Sequence, residues 1–288
     1  MRYNKPIIIL FTLGCLLRLM LFIANDYRIA YDDHTEHIHY IVKYRSIPPA
    51  ESSWEAFQPP FYYILSALVF YLTEPLTGYG WKYVQMLSFL SGILTLYICH
   101  HIIKKIFFRQ PIIQLFSLGF LAFLPRHIYM SAMLTNDSLL YLVIALTIFV
   151  LIKCIETGCK MRYLITLAVM GGLCALTKIS GLLILLVIII SLAFTLPRLH
   201  NYSPLKTTGL ICSIILISVV IGSYKYVDNF QRYGNPFVSN HRFFSQGEDL
   251  PPGSLDKVSF FSFRIKQLIQ VPIINKHHLD SFLTELYG

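Results

Sequence analysis

The chain has 288 residues, 55% of them apolar or aromatic and 14% charged, with a mean hydropathy of +0.59. A water-soluble domain carries about 25% charged residues, so composition excludes a water-facing globule, a disordered chain and a small disulfide-stapled one. The formal charge of +9 comes from 24 Lys and Arg against 15 Asp and Glu. In so apolar a chain basic residues mark cytoplasmic loops and call for no nucleic-acid partner.

A membrane-crossing helix needs about 20 mainly apolar residues. In chain order the candidates are 7–24, 83–103, 111–130, 138–154, 179–196 and 207–226. A weaker seventh, 163–177, is short and contains Gly171-Gly172. The stretch 61–73 is also apolar, but it has the length of a re-entrant or interfacial helix. It follows Pro59-Pro60 and ends at Glu74-Pro75. Arg18 interrupts the first apolar run and no small-residue cleavage site follows, so that run reads as a retained span. Its own partner is open, Glu74 or another carboxylate being a candidate.

Charge sets the topology. Ten basic residues lie at the N-terminus (Arg2, Lys5) and in three short loops (Lys104, Lys105, Arg109; Lys153, Lys160, Arg162; Arg198, Lys206), with Glu156 the one acid among them. The positive-inside rule puts these four segments in the cytoplasm. That requires an even number of crossings between residues 5 and 104, so 61–73 lies along the membrane. The expected architecture is all-α, with about seven spans and a membrane-parallel helix in the first outer loop. Residues 1–227 form the transmembrane part, with outer loop 25–82, and 228–288 form an extracytoplasmic tail in which 259–274 reads as an interfacial helix. The six cysteines (15, 99, 154, 159, 174, 212) fall in spans or cytoplasmic turns and read as packing residues.

The outer loop carries the densest group of ionisable residues, Tyr31-Asp32-Asp33-His34-Thr35-Glu36-His37-Ile38-His39-Tyr40. If it is helical, Asp33 and His37 sit one turn apart on one face. The plain alternative is a solvated helix start capped by Asp32 or Asp33. A second acid, Asp137, follows Thr135-Asn136 in a short outer turn, where an N-cap also belongs. Arg126 and Lys178 are cations at the same membrane face and suit an anionic lipid phosphate, or else snorkel to headgroups. No G-x-G-x-x-G or P-loop pattern supports a soluble nucleotide site, and no metal-ligand spacing is diagnostic.

Taken in order, these residues resemble a known class. Asp32-Asp33 follow the first span, and Gln58-Pro59-Pro60-Phe61-Tyr62 opens the short helix. Pro125 precedes the Asn136-Asp137 turn, and Ala175-Leu176-Thr177-Lys178 and Tyr233-Gly234-Asn235-Pro236 come later. The chain is similar to the GT-C fold glycosyltransferases that use lipid-phosphate sugars, in the protein O-mannosyltransferase and aminoarabinose-transferase branch. The resemblance implies a sugar donor on a polyprenyl or dolichyl phosphate and a protein, lipid or glycan acceptor. It implies inverting displacement, with Asp32 as the base that activates the acceptor hydroxyl. Asp33 stands where Glu is usual and Gln58 where His is common. Asp137 matches the second acid of the family, while Lys178, Arg126 and His37 fall where contacts to the lipid phosphate are expected. No cofactor is specified, and a divalent cation is left open because relatives differ.

Relatives usually extend further, so the chain is expected to lack a C-terminal part. The expected location is a bacterial inner membrane with the N-terminus in the cytoplasm, rather than the endoplasmic reticulum. The alternatives to a transferase are a transporter or lipid flippase, with Arg18, Arg126 and Lys178 along a pathway, and an inactive relict of the family.

Overall fold

Residues 4–28 and 33–244 are described by a computed structural model, and all regular structure among them is helical. The helices are α1 (Asn4–Ala24), α2 (Thr35–Tyr44), α3 (Phe61–Thr77), α4 (Gly80–Ile106), α5 (Pro111–Ala122) and α6 (Pro125–Met130). They continue with α7 (Asn136–Glu156), α8 (Met161–Thr177), α9 (Leu183–His200), α10 (Pro204–Gly222), α11 (Tyr224–Tyr233) and α12 (His241–Phe244). A 3-10 turn over Ile179–Leu182 leads into α9. Asp32, and the interfacial helix expected over 259–274, lie outside the described residues.

Five of these helices are long and apolar enough to cross a bilayer: α1, α4, α7, α9 with its 3-10 lead-in, and α10. Their outward faces carry Ile, Leu, Val and Phe rather than charge, as lipid contact requires. The chain is a multi-pass membrane protein. Helices α5 and α8 are apolar but shorter.

The expected span 111–130 is broken into α5 and α6. Pro125 disfavours helix at Leu124, which is extended at φ −66°, ψ 111°. The break strands the last carbonyls of α5, and Arg18 answers them from α1. Its guanidinium donates to Ala122 O at 2.9 Å, Leu121 O at 3.4 Å and His127 Nδ1 at 2.7 Å. Arg18 is thus fully buried, and its partners are these helix-end carbonyls, Gly14 O of its own helix at 2.7 Å and an imidazole, rather than Glu74. A cation at a helix C-terminus also meets the negative end of the dipole. Glu74 instead accepts the Gly80 N–H at 2.7 Å and starts α4.

Gly171-Gly172, which made α8 look weak as a span, is its contact face. A Cβ on Gly172 would lie 2.7 Å from the Ile221 Cβ of α10, and Ser218 Oγ donates to Ala168 O at 2.8 Å. Small residues that let backbones approach are the usual adhesive between membrane helices.

The bundle has two chemically different ends. At the basic end Lys105 pairs with Glu156 at 2.6 Å, and Tyr202 donates to Gly158 O at 2.8 Å. The start of α1 belongs to this end: Ile7 packs with Leu96 and Leu118 beside Ile103 and Leu115. At the opposite end Phe22 stacks on Phe89, and Lys82 Nζ donates to Phe22 O at 2.5 Å. There α2, the loop 46–60 and the start of α3 meet the 131–137 turn, Lys178 and α11. Helix α3 runs to Thr77, longer than 61–73, and closes on Gly78 at φ 71°. Helix α11 begins after Ser223, so the expected span 207–226 ends at Gly222.

Candidate functional site

The centre of the loop end is an ion pair. Lys178 Nζ donates to Asp137 Oδ1 at 2.7 Å, both side chains being about one-fifth exposed. Two local devices aim them. Thr135, extended at φ −159°, caps α7 by accepting the Asp137 N–H at 3.2 Å. The N-cap is therefore Thr135 and not Asp137, which leaves the Asp137 carboxylate in the first turn free to pair. Lys178 sits where α8 gives way to the 3-10 turn, with extended backbone at φ −157°. The turn is tight because Gly181 packs on Cys174; a Cβ there would lie 2.0 Å from the Cys174 carbonyl oxygen.

Arg126 joins this group through Tyr141. Its side chain and that of Asp137 are both close enough to act on the Tyr141 hydroxyl electrostatically. Tyr141 also stacks on His127 with centroids 5.6 Å apart. The structure thus brings Asp137, Lys178 and Arg126 together. Sequence reading missed Tyr141, although its place one turn beyond Asp137 on the same helix face was a usable signal. Asn136, named in the same turn but given no role, is fully buried beside Asp137, its amide oxygen and nitrogen both without a hydrogen-bond partner.

The outer-loop residues take different places. Asp33 is exposed and precedes α2; its Oδ1 accepts the Thr35 N–H at 2.9 Å and hydroxyl at 2.5 Å. It is therefore not on the helical face of His37 but in the turn that starts the helix. His37 is fully buried, its ring stacked on Tyr63 at 3.7 Å. Burial, with the Lys225 ammonium and His34 adding to it, pushes His37 well below the usual imidazole range, and the Glu55 backbone offsets part of this. His34 pairs with the Tyr63 hydroxyl at 2.9 Å. Gln58 is buried at the entrance to α3.

Helix α11 straps this loop down. Lys225, 1% exposed, donates to Pro48 O at 2.8 Å and faces Asp228 at 3.6 Å. Burial pushes its ammonium down to about 8, against the opposing pull of Asp228. Tyr233 accepts the Ala50 N–H at 3.1 Å and donates to Glu51. On the α1 side a cleft of about 710 Å³ opens between Asn25, Asp26, Glu74, Trp81 and Lys82. Among the described residues no group of three or more His, Cys, Asp or Glu is placed to hold a metal ion.

A carboxylate, an ammonium and a guanidinium are thus gathered at one end of a polytopic helical membrane protein. Residues 58–222 match the dolichyl-phosphate-mannose-protein mannosyltransferase family, and the chain belongs to it. That makes it a membrane glycosyltransferase that uses a lipid-linked sugar donor, with a protein or glycan as acceptor in general terms. No curated protein matches the chain.

Proposed function

We propose that the chain moves a sugar from a polyprenyl or dolichyl phosphate carrier to an acceptor hydroxyl at the loop end of the bundle, by inverting displacement. The observation that carries this reading is the Asp137–Lys178 pair, with Arg126 beside it, at the same end of a family member as the acidic outer loop. A hydroxyl is a weak nucleophile, so a carboxylate takes its proton as it attacks the anomeric carbon. Asp32 is the base in this reading and Asp33 its neighbour. The leaving polyprenyl phosphate is already a stable anion and needs charge stabilisation rather than an acid. Lys178 and Arg126 supply it, while Asp137 holds the ammonium in place. His37, stacked on Tyr63, supports the loop from beneath and meets the donor only if the loop lifts.

In this proposal α5–α6 and α8 cross as well, giving seven spans. The basic end faces the cytoplasm and the loop end the far side, most simply of a bacterial inner membrane. The test is transfer from radiolabelled polyprenyl-phosphate sugars in membranes holding wild type or Asp32→Asn. Label reaches an acceptor only with wild type; equal transfer by a well-expressed Asp32→Asn protein removes the assigned base.

A further inference from the structure

We propose that Cys154 and Cys159, at the basic end, form a redox-active dithiol that closes to a disulfide on exchange with a small-molecule disulfide. Their Sγ atoms lie 3.0 Å apart, and both side chains are buried. The backbone delivers them to one another. Helix α7 ends in a turn in which the Cys159 N–H donates to Cys154 O at 2.8 Å and the Gly158 N–H to Ile155 O at 3.4 Å. This is the paired arrangement of a Schellman cap. It places the residue after the left-handed position against the residue that opens the last turn, where an apolar contact is usual. Here both positions carry thiols. Cys159 itself has φ 56°, a conformation that side-chain-bearing residues rarely take, and it turns the thiol back toward α7.

The Cys159 thiolate, the more exposed of the two at 7% against 0%, attacks one sulfur of oxidised glutathione and expels one glutathione thiolate. The Cys154 thiolate then attacks the Cys159 sulfur of the mixed disulfide and expels the second. Two electrons pass from the protein thiols to the glutathione disulfide, and the two thiol protons end on the released glutathione. The ring so closed includes Glu156, which pairs with Lys105 at 2.6 Å, and Gly158, whose carbonyl accepts from Tyr202 at 2.8 Å. His200 Nε2 lies 2.5 Å from the Ile155 carbonyl in the same turn. Oxidation therefore stiffens the junction where α4, α7 and the α9–α10 connection meet.

The sequence makes the test direct. Lys153 and Lys160 flank the pair, so trypsin releases both cysteines on one peptide, and Glu156 lies between them. Detergent-solubilised full-length protein is treated with oxidised glutathione, blocked with N-ethylmaleimide, denatured and digested. The expected 154–160 peptide is two hydrogens lighter, carries no label, and after cleavage at Glu156 separates only on reduction. A trivalent arsenical, phenylarsine oxide, protects both thiols of the reduced protein together, and Cys154→Ser leaves a lasting glutathione adduct on Cys159. Two maleimide labels on that peptide, or a single glutathione adduct in wild type, overturns the proposal. The arsenical result decides it if the serine variant does not fold.

Discussion

At the scale of residues, the pair Asp137–Lys178 concentrates the chemical expectation. In the proposed reaction Lys178→Met removes a cation from the leaving phosphate, a loss of about 10²–10³ in rate, and Asp137→Asn lowers the rate by releasing the ammonium that it holds. Because the two share one ion pair, the double variant loses less than the product of the single losses. Fully multiplicative losses in a transfer assay contradict the coupling. His37 gives a pH test. Native His37 stays neutral where the unfolded chain, with the ordinary value of 6.5, takes up a proton. Each fall in pH below that value therefore favours unfolding. Wild type should lose thermal stability relative to His37→Phe, which keeps the stack on Tyr63, as pH falls from about 6.5 to about 5; a flat difference contradicts the buried neutral ring. Much of the cation–carboxylate grouping was legible, because hydropathy placed Asp137, Arg126 and Lys178 at one membrane face before any contact was known. The partner of Arg18 was not, since the helix-end carbonyls it serves exist only once α5 breaks at Pro125. Capping by Thr135 instead of Asp137 depended likewise on a backbone angle rather than on residue type.

At the scale of elements, the α8–α10 contact and the α5–α6 break hold the site's framework. A side chain at Gly172 must displace Ile221 and the Ser218 carbonyl, whereas Gly209 on the same α10 faces open space. Gly172→Val should cost about 1–3 kcal/mol by overpacking and Gly209→Val far less, read as melting temperatures in detergent. Equal effects contradict the tight contact. Arg18→Met leaves buried carbonyls and His127 without their donor, a loss of about 1–3 kcal/mol for each orphaned group, and should lower stability more than a substitution at exposed Arg162. The long apolar helices α1, α4, α7, α9 and α10 were readable from hydropathy alone, with ends shifted by a few residues. The strap formed by α11 was not. Its hold on residues 48–51 joins segments far apart in sequence through Lys225 and Tyr233, which carry no local pattern.

At the scale of the whole molecule, the basic and loop ends are the charge asymmetry of the sequence made spatial. Reporter fusions at residues 50 and 105 should report opposite sides of the membrane, and fusions at 50 and 79 the same side; either result reversed contradicts an α3 that lies along the surface. Counting Lys and Arg in short loops carries an expectation of orientation that is indifferent to packing, and these fusions test it. In the proposed function the loop-end carboxylate and cations transfer a lipid-linked sugar. Its most direct test is the transfer of label from polyprenyl-phosphate sugars by purified wild type and by Lys178→Met of equal melting temperature. Wild type should transfer label, with a fall of about 10²-fold or more in the variant. Equal transfer by both proteins would contradict it.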